Sequence, residues 1–126
     1  MRQFPHLTDQ VLDLDALLRE TDDSACGALV VFGGAVRLDH PENPVTAIDY
    51  TAYAPLAVAT LAQLEQEALA QFPIKHCRVV HRVGMLALGE LSVLIVVRSA
   101  HRPAAFEAAR WVIETLKVRV PVWKQE

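Results

Sequence analysis

The sequence predicts an α+β fold with a mixed or mostly antiparallel sheet. Three observations lead there. Long stretches of helical periodicity are separated by runs of strands. The two longest of these helices have a proline at their start, where a missing N–H is harmless. The run Leu91 to Val97 is apolar on both faces, which suits a central strand covered on both sides, and it is far too short to span a bilayer. With 126 residues, 52% apolar and 21% charged, the chain is expected to build one domain around one core.

Phe4 to Leu7 reads as a short edge strand. Asp13 is placed to cap a helix over Leu14 to Glu20, and Thr21-Asp-Asp-Ser follows as a loop. The apolar run Gly27 to Phe32 predicts a buried strand that Gly33-Gly34 breaks. Leu38 to Pro44, with two prolines, an asparagine and two acids, predicts an exposed loop before a strand over Val45 to Tyr50. Pro55 opens a helix in which Ala57, Leu61, Leu64, Ala68 and Phe72 share a face; Gln63, Glu65, Gln66 and Glu67 are expected to point away, and Pro73 ends it. Cys77 to Val83 and Leu91 to Arg98 are predicted strands, joined through Gly84 to Gly89 as a turn-rich connection or short hairpin arm. Pro103 opens the last helix, with Phe106, Ala109, Ile113 and Leu116 as its predicted buried stripe. Val118 to Trp123 is then extended, and Pro121 limits it to a sheet edge or to no sheet.

A net charge of −3 argues against a polyanion binder, so no nucleic-acid partner is expected and any anion site must come from a local cluster of bases. Cys26 and Cys77 form no C-x-x-C pair and sit among apolar neighbours, as reduced thiols of a cytoplasmic protein do. Met1-Arg-Gln-Phe-Pro-His has no apolar h-region, and no membrane association is expected. His76 and His81 fall on opposite strand faces, Cys77 and His81 lie about 13 Å apart at strand rise, and no zinc spacing occurs, so no metal or other cofactor is expected. Neither a G-x-S-x-G elbow nor a nucleotide-binding glycine pattern is present.

The candidate chemistry is basic. His101-Arg102-Pro103 sits where a strand passes into a helix, and cations there oppose the helix dipole by roughly 0.3–1 kcal/mol. An anionic ligand using both side chains and the free N–H groups would compensate; Arg102 paired with Glu107 or another acid, beside an exposed His101, would also account for them. Arg37 follows Gly33-Gly34-Ala35-Val36, either as a solvated residue after a turn or beside a backbone that a ligand approaches closely. Lys117 ends the last helix at the edge of the stripe. It either complements the helix dipole or is a partly desolvated amine with a lowered pKa. Trp123 either packs beside an exposed Lys124 or fixes that lysine at a pocket wall. His81 and Arg82 point to opposite faces of a strand, so at most one reaches a given site.

Five segments in order carry a resemblance: Gly27-Ala-Leu-Val-Val-Phe-Gly-Gly-Ala-Val-Arg37, Tyr50-Thr-Ala-Tyr53, His81-Arg-Val-Gly-Met-Leu-Ala-Leu-Gly-Glu90, His101-Arg-Pro-Ala-Ala-Phe-Glu-Ala108 and Leu116-Lys-Val-Arg-Val-Pro-Val-Trp-Lys-Gln-Glu126. Together they resemble the large, catalytic subunit of molybdopterin synthase. The resemblance implies that residues 1–126 form one such domain, an α/β hammerhead with additional antiparallel strands. It implies a sulfurtransferase that dimerises and binds two small ubiquitin-like sulfur carriers, making a heterotetramer. Each carrier inserts a Gly-Gly tail ending in a thiocarboxylate, and sulfur passes to cyclic pyranopterin monophosphate to form the dithiolene. Lys117 and Lys124 would then be catalytic, and Arg37, His101 and Arg102 would bind substrate. A member that keeps the dimer and the carrier groove without turnover is the alternative. Thr51, Leu56 and Gln125 stand where the family usually has Glu, Met and a base, and the sequence stops at Glu126 where the family usually continues.

Overall fold

The computed structural model describes residues 5–37 and 47–125. Its elements are β1 (Leu7–Thr8), α1 (Leu14–Glu20), β2 (Ala28–Ala35), β3 (Ala47–Ala52), α2 (Ala54–Gln71), β4 (His76–Arg82), β5 (Gly84–Ala87), β6 (Leu91–Ser99), α3 (Arg102–Arg119) and β7 (Val122–Gln125). They form a four-stranded sheet in the order β1-β4-β6-β2 and a three-stranded sheet in the order β5-β3-β7. β1 runs parallel to β4 and every other pairing is antiparallel. The mixed α+β class therefore holds. The predicted loop over Leu38 to Pro44 lies outside the described residues.

β6 is a central strand because its residues alternate between two cores. Val93, Ile95 and Val97 pack under α2 and α3, while Leu94 and Val96 pack with Leu17 of α1 and Val80 of β4. Uniform apolarity is what a strand needs when both faces are covered. α1 starts as its sequence dictates, with the Asp13 carboxylate accepting from the Ala16 N–H at 3.1 Å.

β2 differs from its prediction in two ways. It continues through Gly33 and Gly34, with a shift of register against β6 just after Gly34, and it closes the sheet as an edge strand, leaving Leu29, Val31 and Phe32 exposed. Among the described residues the glycines with positive φ are Gly84 and Gly89, so Gly33 and Gly34 simply stay extended, opposite Leu94 and Val93. What position 34 requires is absence of bulk: a Cβ there would lie 2.8 Å from Val93 Cγ1. Gly34→Val should therefore cost about 1–3 kcal/mol of stability by overpacking. Denaturant unfolding measures it, and an unchanged midpoint would contradict the close packing.

Helix α3 is rotated from its predicted stripe. The buried residues are Ala105, Ala108, Ala109, Val112 and Leu116, Ile113 is half-buried, and Phe106 is 62% exposed. Small alanines face the sheet, so weighting the stripe by its largest side chains displaced it by about one residue. The helix also continues through Arg119, leaving Val118 exposed where extended chain was predicted. Pro121 then precedes β7, an edge strand as proline demands, and its carbonyl accepts from the Tyr53 N–H.

Glu65 reverses its expectation outright. It is fully buried, its carboxylate accepting from Arg78 Nε at 3.2 Å and from the Val79 N–H at 2.8 Å, with His6 Nε2 at 3.0 Å from the other oxygen. Arg78 also donates to Glu20 at 2.8 Å. One charged knot thus ties α1, α2, β4 and the approach to β1 together.

Candidate functional site

One cavity, about 530 Å³, opens where the two sheets meet the C-terminal end of α3. Its chemistry-bearing lining is Arg37, Tyr50, His81, Ser92 and Lys117. Each is held by its own element. Arg37 follows Val36, a buried residue whose N–H donates to the Glu90 carbonyl and whose carbonyl accepts from the Gly89 N–H. Lys117 stands in the last turn of α3 beside Leu116, which anchors that turn in the core. Ser92 Oγ donates to the Gly34 carbonyl at 3.2 Å. Tyr50 meets the His81 ring edge to face, with centroids 5.5 Å apart.

His81 is 5% exposed. Its ring Nδ1 lies 2.8 Å from the Arg82 carbonyl, which can only accept. Burial holds the imidazole below its ordinary pKa, against the opposing pull of that hydrogen bond, so the ring is neutral near pH 7. Arg82 leaves on the other face, donating to Glu90 at 2.9 Å. Glu90 also accepts from the Ala87 N–H; that bond, then Arg82, holds its carboxyl below the usual range. One of the pair reaches the cavity, as strand alternation requires.

A second, more open cavity of about 650 Å³ lies at the far end of β2, lined by His101, Arg102 and the exposed Phe106. His101 caps α3 without a side-chain capping bond, and the first turn carries no acid. Arg102 makes no ion pair with Glu107 or any other described acid.

The structure therefore splits the candidates. Arg37 and Lys117 share one cavity; His101 and Arg102 share another. Lys124 is the register partner, through β7, of Tyr50, which lines the first cavity, while its own side chain lies outside the described residues. The desolvation read into Lys117 is not supplied by this chain, since the residue is exposed. His81 and Tyr50 also line the first cavity; neither was among the expected binding or catalytic residues, although both stand in the segments that carry the resemblance. Among the described residues no group of three His, Cys, Asp or Glu side chains is placed to hold a metal.

The sequence matches the MoaE protein family over residues 7–119. The chain belongs to the MoaE family. Its relatives include the molybdopterin synthase catalytic subunit of Thermoplasma volcanium, 45% identical over 91% of this chain and 82% of that one. The human catalytic subunit is 35% identical over 96% of this chain, which spans 64% of the human protein's length. Among solved structures, molybdopterin synthase from Staphylococcus aureus superposes with a TM-score of 0.91 at 35% identity, covering 98% of this chain and 90% of that one. A complex of subunits 1 and 2 of molybdopterin-converting factor from Helicobacter pylori superposes at 0.75 with 25% identity, covering 94% and 80%. For a MoaE chain the division of the basic residues between two cavities becomes the central geometric question.

Proposed function

We propose that this chain is the catalytic subunit of a molybdopterin synthase, an enzyme of molybdenum cofactor biosynthesis that moves sulfur from the thiocarboxylate tail of a small carrier protein to cyclic pyranopterin monophosphate. The observation that carries the reading is the convergence of Arg37 and Lys117, from separate elements, on one cavity of small-molecule size in a MoaE chain. Phosphate and thiocarboxylate are both anions, and fixed cations stabilise both the bound charge and charge that develops during transfer. The sulfur comes from the carrier, so the chain needs no nucleophilic thiol. In agreement, Cys77 is buried, and desolvation, reinforced by Asp23, raises the Cys26 thiol above its ordinary pKa.

The second cavity belongs to the same reading if the enzyme is a homodimer. β2 is eight residues long, so His101 and Arg102 stand about 24 Å from Arg37 along the strand. A second copy paired antiparallel along the outer edge of β2 brings the Ala28 end of one chain beside the Ala35 end of the other. Each pocket would then hold Arg37 and Lys117 from one copy with His101 and Arg102 from its mate. The exposed Leu29 and Val31 supply apolar surface for an isologous contact. Leu29→Glu with Val31→Glu, which sets like charges against each other, should give a folded monomer by light scattering and circular dichroism, with turnover lost. A persistent dimer would refute pairing through β2.

The decisive assay supplies a thiocarboxylated small carrier subunit and cyclic pyranopterin monophosphate and measures dithiolene formation. Product is expected. Carrier binding without product would establish the non-catalytic alternative instead.

A further inference from the structure

We infer that His81 is a substrate-reading residue: its Nε2 accepts a hydrogen bond from an N–H or O–H group of the cavity's occupant, beside the cations that hold the occupant's negative charge. This inference rests on the sulfur-transfer reading and adds a residue and a recognition rule to it.

The argument begins with the backbone. The His81 N–H donates to the His6 carbonyl at 2.8 Å on the β1 side, and the residue is in register with Val93 on the β6 side. Clamped from both edges, the strand cannot swing the ring away. The ring itself is fixed at Nδ1 by the Arg82 carbonyl and along its edge by Tyr50. A carbonyl accepts only, so Nδ1 carries the proton and the neutral ring presents a lone pair at Nε2.

A histidine that merely fills a core has its second nitrogen satisfied or sealed. Here no described residue bonds to Nε2. Nor is Nε2 sealed: the buried, unpartnered polar atom among the described residues is Arg82 Nε. The residue instead forms wall of the cavity that Arg37 and Lys117 line. Burial supports the assignment by keeping the imidazole neutral, so it adds an acceptor to the wall and not a third positive charge. The lining thus reads two properties of one molecule: an anionic group, taken by the cations, and a hydrogen-bond donor, taken by His81. Inorganic phosphate satisfies the first condition alone; a phosphorylated heterocycle rich in N–H groups satisfies both.

Two substitutions separate the ring's nitrogens. His81→Asn keeps a donor near the Nδ1 position for the Arg82 carbonyl and removes Nε2. His81→Gln returns an acceptor oxygen near the Nε2 position. His81→Asn should raise KM for cyclic pyranopterin monophosphate roughly fivefold to tenfold, the scale of one lost hydrogen bond, with a smaller change in kcat and unchanged affinity for the small subunit. His81→Gln should recover most of the loss. On the wild-type protein, long-range ¹H–¹⁵N spectra should show the Nδ1–H tautomer, and the Nε2 resonance should move with the cyclic pterin but not with inorganic phosphate. Unchanged KM in His81→Asn, or an Nε2 signal unmoved by saturating pterin while the wild type turns over, overturns the inference. A wild-type enzyme without turnover overturns the sulfur-transfer reading, and this inference with it.

Discussion

Lys117→Ala should lower turnover by at least about tenfold while leaving small-subunit binding intact, the low end of what a lost catalytic group costs. The reason is position. Leu116 roots the last turn of α3 in the core, so the neighbouring lysine starts from a rigid base at the cavity wall. In the single chain Lys117 is exposed and solvated. Its electrostatic effect must therefore strengthen when substrate and the carrier tail exclude water, because charge acts further in a drier site. Lys117→Arg then distinguishes two roles. Arginine keeps the charge, so recovered turnover would assign the residue to anion stabilisation; a dead enzyme would assign it to chemistry of the free amine, such as an acyl adduct. Lys124→Ala should do less damage, since that residue is carried by the edge strand β7, which pairs on one side alone. Turnover of Lys117→Ala within twofold of wild type would remove it from the catalytic machinery.

Glu65→Ala should cost about 3–5 kcal/mol of stability, the usual result of removing one partner from a buried ion pair. The carboxylate and Arg78 are both buried, and losing it removes the acceptor of Arg78 Nε and of the Val79 N–H together, while the guanidinium keeps its bond to Glu20. For a chain of this length the melting temperature should fall by roughly 10–20 °C in a calorimetric scan. Glu65→Gln keeps an acceptor for Val79 and should cost less. A melting temperature within a few degrees of wild type for Glu65→Ala would mean that the knot contributes little to stability.

Those two residues also show what the sequence reveals. Helix starts were legible because Asp13, Pro55 and Pro103 each carry a local mechanism that neighbours do not override. The central place of β6 was legible because a strand that is apolar on both faces needs cover on both. Glu65 was not legible: helical spacing sorts residues by polarity, and a buried carboxylate is recognised only once Arg78, distant in sequence, is seen beside it. The edge position of β2 was hidden for a related reason. Its apolar residues resemble those of a buried strand, and which flank they present depends on strand order, a global property. In the site, Arg37 and Lys117 could be named from the resemblance, but their separation from His101 and Arg102 could not, because spacing along the chain does not say at which end of a strand a residue is delivered. Strand alternation said that at most one of His81 and Arg82 reaches a given site, and only the folded chain shows that it is His81 that lines the cavity.

The pairing of β3 with β7 joins Asp49 to Gln125 and Ala52 to Val122. Partners this remote in sequence meet only after a large loss of chain entropy, and such contacts form late in folding. The adjoining β4–β6 ladder closes a much shorter loop. β2 meets β6 at a comparable separation, Ala28 with Ser99, while Tyr50 pairs with Gly84 of β5 across a shorter loop, so the core under α2 and α3 and the wall that carries Tyr50 both wait on similarly distant closures. Catalytic competence should thus return in refolding together with the bulk of the tertiary signal, in one cooperative phase.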